Sequence, residues 1–211
     1  MSSGGGELPG KEANVLKGHE GAVLAARFNS DGNYCLTGGK DRTIRLWNPH
    51  RGIHIKTYKS HVREVRDVHV NTVKFNEYSS VVVSAGYDRS VRAWDCRSHS
   101  TEPIQIIDTF SDSVMSCCLT KTEIIAGSVD GTVRTFDIRM GRELSDSLGQ
   151  PSYKLDCCLT NTDAHITGGS EDGFIYFWDL VDAKVVSSFR AHASVVTSVS
   201  YHPNDNCMLR R

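Results

Sequence analysis

One phrase recurs four times along the chain: two short runs rich in β-branched residues, joined by a turn and closed by an aromatic. Its fullest copy runs from Val81 to Arg97, and the others are Cys35–Asn48, Ile124–Asp137 and Ile166–Asp179. In every copy an Asp (Asp41, Asp88, Asp130, Asp172) lies six residues before the aromatic (Trp47, Trp94, Phe136, Trp178). The aromatics follow one another at intervals of 47, 42 and 42 residues. Repetition at fixed spacing limits the fold severely. Each unit is too small to bury its own apolar face, so the units must stack on one another. β-branched runs broken by Gly-Asp turns make those units strand hairpins.

Gly18-His19 ahead of a strand, then a turn Asp, then Trp-Asp, resembles the WD40 repeat family. The resemblance covers about residues 13–211 and implies an all-β WD40 β-propeller. Four blades are recognisable and a fifth is partial, against seven in the family ring. The repeats fall at about 18–58, 61–97, 104–141, 153–189 and, in part, 191–211. The family's structural tetrad maps onto His19, Thr37, Asp41 and Trp47, and again onto His61, Ser84, Asp88 and Trp94. The resemblance implies a chain of polar contacts: the Asp accepts from the His and from backbone amides, the His reaches the hydroxyl, and the hydroxyl meets the indole. Such residues are scaffold. The third repeat retains Asp130, with Phe136 for Trp and Ala126 at the hydroxyl position; the fourth retains Asp172 and Trp178, with Gly168 there.

Three irregularities break the pattern. His61 lies fourteen residues before Phe75, where His19 lies nine before Phe28. Val65–Asn71 fits the first-strand template of Val23–Asn29, and Val73–Asn76 fits its second half again. The first-strand signal is thus written twice with no Trp-Asp between, as if most of a blade had been removed near residue 70; a plain loop insertion is the alternative. A first strand at 195–203 then leads to Cys207–Arg211, with no further Trp-Asp. Residues 1–12 read as a disordered Gly-rich tail. Ala13–Lys17 reads as a strand that, in the WD40 pattern, completes the last blade. A shortened arc with two open apolar faces is the expected form.

Composition removes several function classes. A formal net charge of −1 offers no global field for nucleic acid or anionic membrane. Seven cysteines include the adjacent pairs Cys117-Cys118 and Cys157-Cys158, which have no zinc-like spacing and fall in equivalent first strands. Strand alternation would point one Cys of each pair inward. No signal-peptide order is present at the start, and no membrane contact is expected; a cytoplasmic or nuclear protein with reduced thiols is. Phosphate-binding, zinc-protease and nucleophile-elbow motifs are missing, so neither catalysis nor a metal or cofactor is expected. Arg42, Arg45, Arg51, Lys56 and Lys59 read as charges on solvent-facing strand positions.

The expected function is that of a non-enzymatic scaffold whose rigid sheets present variable loops to several proteins. By resemblance, the partners would be members of the mitogen-activated protein kinase cascade, with pre-mRNA splicing components a linked possibility. The alternative rests on Val82–Arg97 and Ile124–Arg139, which resemble the box docking WD40 substrate receptors on the adaptor of cullin-RING ubiquitin ligases. Arg97 and Arg139 would be the contacts, positioned by Asp95 and Asp137.

Overall fold

The computed structural model describes residues 13–59, 70–147, 154–160, 162, 164–182, 184–201 and 208–210. Its regular structure among these residues is all strand. The first antiparallel sheet is β1 (Val23–Phe28), β2 (Cys35–Gly39), β3 (Thr43–Asn48) and β4 (Ile53–Lys59), in that order. The second repeats it with β5 (Val70–Phe75), β6 (Val81–Gly86), β7 (Val91–Asp95) and β8 (Gln105–Ile107). The third contains β9 (Val114–Leu119), β10 (Glu123–Ser128), β11 (Val133–Asp137) and β12 (Glu143–Ser147). The fourth contains β13 (Lys154–Leu159), β14 (His165–Ser170), β15 (Phe174–Asp179) and β16 (Val185–Arg190). A two-stranded sheet, β17 (Val199–Tyr201) with β18 (Met208–Arg210), stands where the partial fifth repeat begins.

The six-residue interval between Asp and aromatic is a hairpin register. The residue after each Asp takes a left-handed φ: +65° at Arg42, +63° at Arg89, +86° at Gly131 and +83° at Gly173. The Asp carboxylate then accepts the amide two residues on, from Thr43 (3.2 Å), Ser90 (3.4 Å), Thr132 (3.0 Å) and Phe174 (2.9 Å). This turn sets Thr37 opposite Arg45, Ser84 opposite Arg92, Ala126 opposite Arg134 and Gly168 opposite Tyr176.

The sheets stack through their first strands, β1 on β5, β5 on β9, β9 on β13 and β13 on β17. One apolar cluster fills each junction. Leu36, Ile44, Leu46 and Tyr58 of the first sheet meet Val73, Val82 and Trp94 of the second. Val83, Ala85 and Ala93 meet Phe136 of the third, and Cys118, Ile125 and Val133 meet Trp178 of the fourth. The last cluster joins Ile175 to Val196 and Val199. Burying a ring of this size removes on the order of 200 Å² from water, at most about 5 kcal/mol at ~25 cal/mol per Å². Close approach also needs missing side chains. A Cβ on Gly38 would stand 2.8 Å from the Val70 Cγ1 across the first junction.

Three expectations are corrected. Ala13–Lys17 forms no strand; Asn14 instead donates its amide to the Pro49 and His50 carbonyls, both at 3.0 Å, which ties the segment to the first sheet. The expectation of one inward cysteine per pair fails at Cys117-Cys118, where the first strand is covered on both faces, while in the second pair Cys157 is buried and Cys158 only partly so. Cys117 packs toward Thr72 of the second sheet and Cys118 toward the fourth, and both are buried. Arg45 does not face solvent, as its guanidinium lies 3.8 Å from Asp41 with most of its side chain covered. Of the doubled first-strand signal, the second copy is used: Val70 pairs with Gly86 as Val23 pairs with Gly39. Val65–His69 and the 1–12 tail lie outside the described residues.

Candidate functional site

The first sheet brings His19, Thr37, Asp41 and Trp47 into one network. His19 Nδ1 meets Asp41 Oδ2 at 2.8 Å and its Nε2 meets Thr37 Oγ1 at 2.7 Å. The Trp47 indole donates to the same hydroxyl at 2.8 Å, and the Glu20 amide donates to Asp41 at 3.1 Å. Burial drives the Asp41 carboxyl upward, but His19, the Glu20 amide and Thr43 outweigh it and hold it below the usual range. In the second sheet Trp94 donates to Ser84 at 2.9 Å, and Asp88 is buried at the turn. His61 lies outside the described residues.

A second layer, unnoticed in the sequence reading, repeats on the third strand. The residue two past the Asp donates its hydroxyl to it: Thr43 at 2.9 Å, Ser90 at 2.8 Å, Thr132 at 2.6 Å. The residue two further on closes over that hydroxyl. Arg92 reaches Ser90 at 3.0 Å and Asp88 at 3.0 Å, and Arg134 reaches Thr132 at 3.2 Å. The fourth sheet substitutes Tyr176, whose hydroxyl donates to Asp172 at 2.7 Å. The signal was legible as Asp-x-Ser/Thr-x-Arg, since residues i, i+2 and i+4 of a strand share a face.

The degenerate repeats are repaired locally. Asp130 accepts the Ser111 amide at 2.9 Å, as Asp41 accepts that of Glu20. A Cβ at Gly39 would stand 3.0 Å from the His19 ring, and the third sheet has Ser128 at the equivalent position. Its hydroxyl points at the Asp112 and Ser113 carbonyls (3.2 and 3.1 Å) and accepts the Asp130 amide at 3.2 Å. Ser170 holds the same place in the fourth sheet. Ala126 and Gly168 supply no side-chain hydroxyl where the first two sheets have Thr37 and Ser84; Phe136 and Trp178 are packed between sheets. Thr167, one position from Gly168, has its buried Oγ1 without a hydrogen-bond partner among the described residues.

Asp95 and Asp137 cap the turn after the third strand. They accept the amides of Arg97 at 2.8 Å and Arg139 at 2.7 Å, leaving both Arg side chains exposed. For Asp137, the Met140 and Arg139 amides keep the carboxyl below its usual range. Asn48 and Asp179 make the same cap before Arg51 and Val181, at 3.0 and 2.8 Å. The cap is thus a general device of this turn, independent of an Arg two residues on.

Residues 10–48, 52–95 and 183–209 match the family described as WD domain, G-beta repeat. The stretch between them holds the third repeat and most of the fourth, where the tetrad is most altered. The chain is 36% identical to the WD repeat domain-containing protein 83 of Rattus norvegicus, over 96% of this chain and 90% of that protein. It is 35% identical to the Xenopus tropicalis protein of that name over the same shares, and 25% identical to a Dictyostelium discoideum homolog over 91% and 92%. The rat alignment runs 282 positions. With 96% of 211 residues aligned, about 203, at least about 79 positions of the relative face gaps in this chain. That is close to two repeats. Repeated sheets, shared tetrad geometry and this similarity agree: the chain belongs to the WD40 repeat family.

Proposed function

We propose that the chain is a non-enzymatic scaffold or adaptor that holds several proteins at once. The observation that supports it best is where the recurrent chemistry is spent. The turn Asp, the hydroxyls and His19 are consumed by contacts inside each sheet. What faces outward is edge strands and turns: β16 is exposed along its whole length, and β4 along most of it. Rigid sheets with such margins suit protein recognition. Following the family resemblance, the partners are members of the mitogen-activated protein kinase cascade, with pre-mRNA splicing components second, in the cytoplasm or nucleus. Affinity purification of the tagged full chain tests this. Recovery of cascade kinases or splicing proteins supports it, and recovery of neither overturns these assignments.

A second reading makes Arg97 and Arg139 contacts for the cullin-RING ligase adaptor. It draws on two exposed guanidinium side chains at equivalent turns of successive sheets. Replacing both with Ala should abolish adaptor recovery while shifting stability by no more than about 0.5 kcal/mol. Undiminished recovery would remove the reading.

A further inference from the structure

The chain is near neutral, yet one groove concentrates positive charge. It lies between the edge strand β4 of the first sheet and the turn after β7 of the second, with a volume of about 740 Å³. Lys56, Lys59 and Arg97 line it together with His54 and His99, and no carboxylate is among its lining residues. Asp95, at the start of that turn, has its carboxylate turned to the Arg97 amide at 2.8 Å. The walls are fixed to each other. Lys56 Nζ sits 4.6 Å above the Tyr58 ring and donates across the groove to the carbonyls of Ser98 (2.8 Å) and Asp95 (3.3 Å).

Two features say what kind of molecule fits. Among the described residues β4 pairs with β3 alone, so no described strand lies along its outer backbone edge. Ile53 and Ile55 are both more than 40% exposed on that edge, interleaved with His54 and Lys56 about a bulge at Ile55 and followed by Lys59. A free edge carrying exposed apolar residues and lysines is a template for an added strand carrying apolar and acidic ones. Single-stranded nucleic acid is held chiefly by bases stacked on large aromatic faces, and no Phe, Tyr or Trp lines the groove.

We propose that this groove binds an extended acidic segment of a partner protein, laid along β4, with its carboxylates on Lys59 and Arg97. The inference deepens the scaffold reading by naming a docking chemistry, and its test needs no natural partner. A fluorescent peptide alternating Glu and Val is titrated with the full chain and followed by anisotropy, beside a Lys-Val peptide and a single-stranded RNA. The Glu-Val peptide should bind best. Reversing two contacts with Lys59→Glu and Arg97→Glu together should weaken it about tenfold or more. Arg51→Glu, an exposed reversal outside the groove, should leave binding unchanged. The proposal is overturned if the double variant binds as the parent does while melting normally. It is also overturned if Arg51→Glu weakens binding equally, or if the RNA binds more tightly and is lost on the same reversal. Lys59→Glu alone separates this site from the ligase-adaptor reading, which uses Arg97 but not Lys59.

Discussion

The third sheet is a natural experiment on the second. Where the second has Ser84 and Trp94 joined by a 2.9 Å hydrogen bond, the third has Ala126 and Phe136, at the same register and equally buried. Removing one partner of a buried pair leaves the other polar group unmatched at about 1–3 kcal/mol, whereas removing both can be nearly neutral. Ser84→Ala should therefore cost about 1–3 kcal/mol by stranding the indole N–H. Trp94→Phe should cost a cavity term, because Trp94 is fully buried against Leu36, Ile44 and Tyr58. The double variant reproduces the pair of the third sheet and should cost less than the sum, by about 1 kcal/mol or more. Thermal melts of all four proteins followed by far-UV circular dichroism would show it. For a chain of this length 1 kcal/mol corresponds to about 2–4 °C. Strictly additive losses would refute the reasoning, because the bond would then contribute nothing that depends on both partners.

Arg89 holds a left-handed φ of +63° where the third and fourth sheets have Gly, so Arg89→Gly should stabilise by about 0.5–1 kcal/mol. A lower melting temperature would show that the side chain, not the turn, matters there. Asp41 has a folded pKa depressed below 3.8, so its contribution is present above that value and is lost as pH falls through the lower folded value. Asp41→Asn should lower the urea midpoint at neutral pH and shrink the fall in midpoint on acidification below about pH 4; an unchanged acid slope counts against it. Phe28 is 68% exposed beside an open apolar cavity of about 370 Å³, so Phe28→Ser should reduce the fluorescence of a hydrophobic dye without moving the melt.

The hairpins and the first tetrad were legible because both are local: Asp, turn and aromatic lie within one hairpin whose register the turn enforces. What the sequence concealed depends on stacking. Strand alternation assumes one covered face, but β9 is sandwiched between β5 and β13, so Cys117 and Cys118 are both buried. The same assumption placed Arg45 in solvent, although Thr43 and Arg45 share a face with the turn Asp and close over it. Ala13–Lys17 carries strand-like residues, but a strand needs an edge, and Asn14 instead binds the carbonyls after β3. Ser128 could have been found: the residue two before the Asp is Gly in repeats preceded by a His and Ser in those without one.

Stacking also has a direction. Trp94, Phe136 and Trp178 each turn toward the sheet before their own, so the first three junctions each receive the repeat's closing aromatic from the later sheet. Trp47 has no earlier described sheet, yet it is 1% exposed. The His54 ring stands edge-on at 5.1 Å, and the Gly18 backbone passes so close that a Cβ there would come within 2.9 Å of the indole. Ala26, Phe28, Cys35 and Thr37 border a cavity there, with Ala13 and Leu16 across it. The first sheet thus covers its tetrad with its own edge, while β1 stays largely exposed. Because each junction is a contact between neighbours alone, stability accrues sheet by sheet. About two repeats' worth of positions can then be missing, relative to the rat protein, while every remaining junction keeps its packing. The hydrogen bonds that define each sheet never leave it, so they do not register the number of sheets.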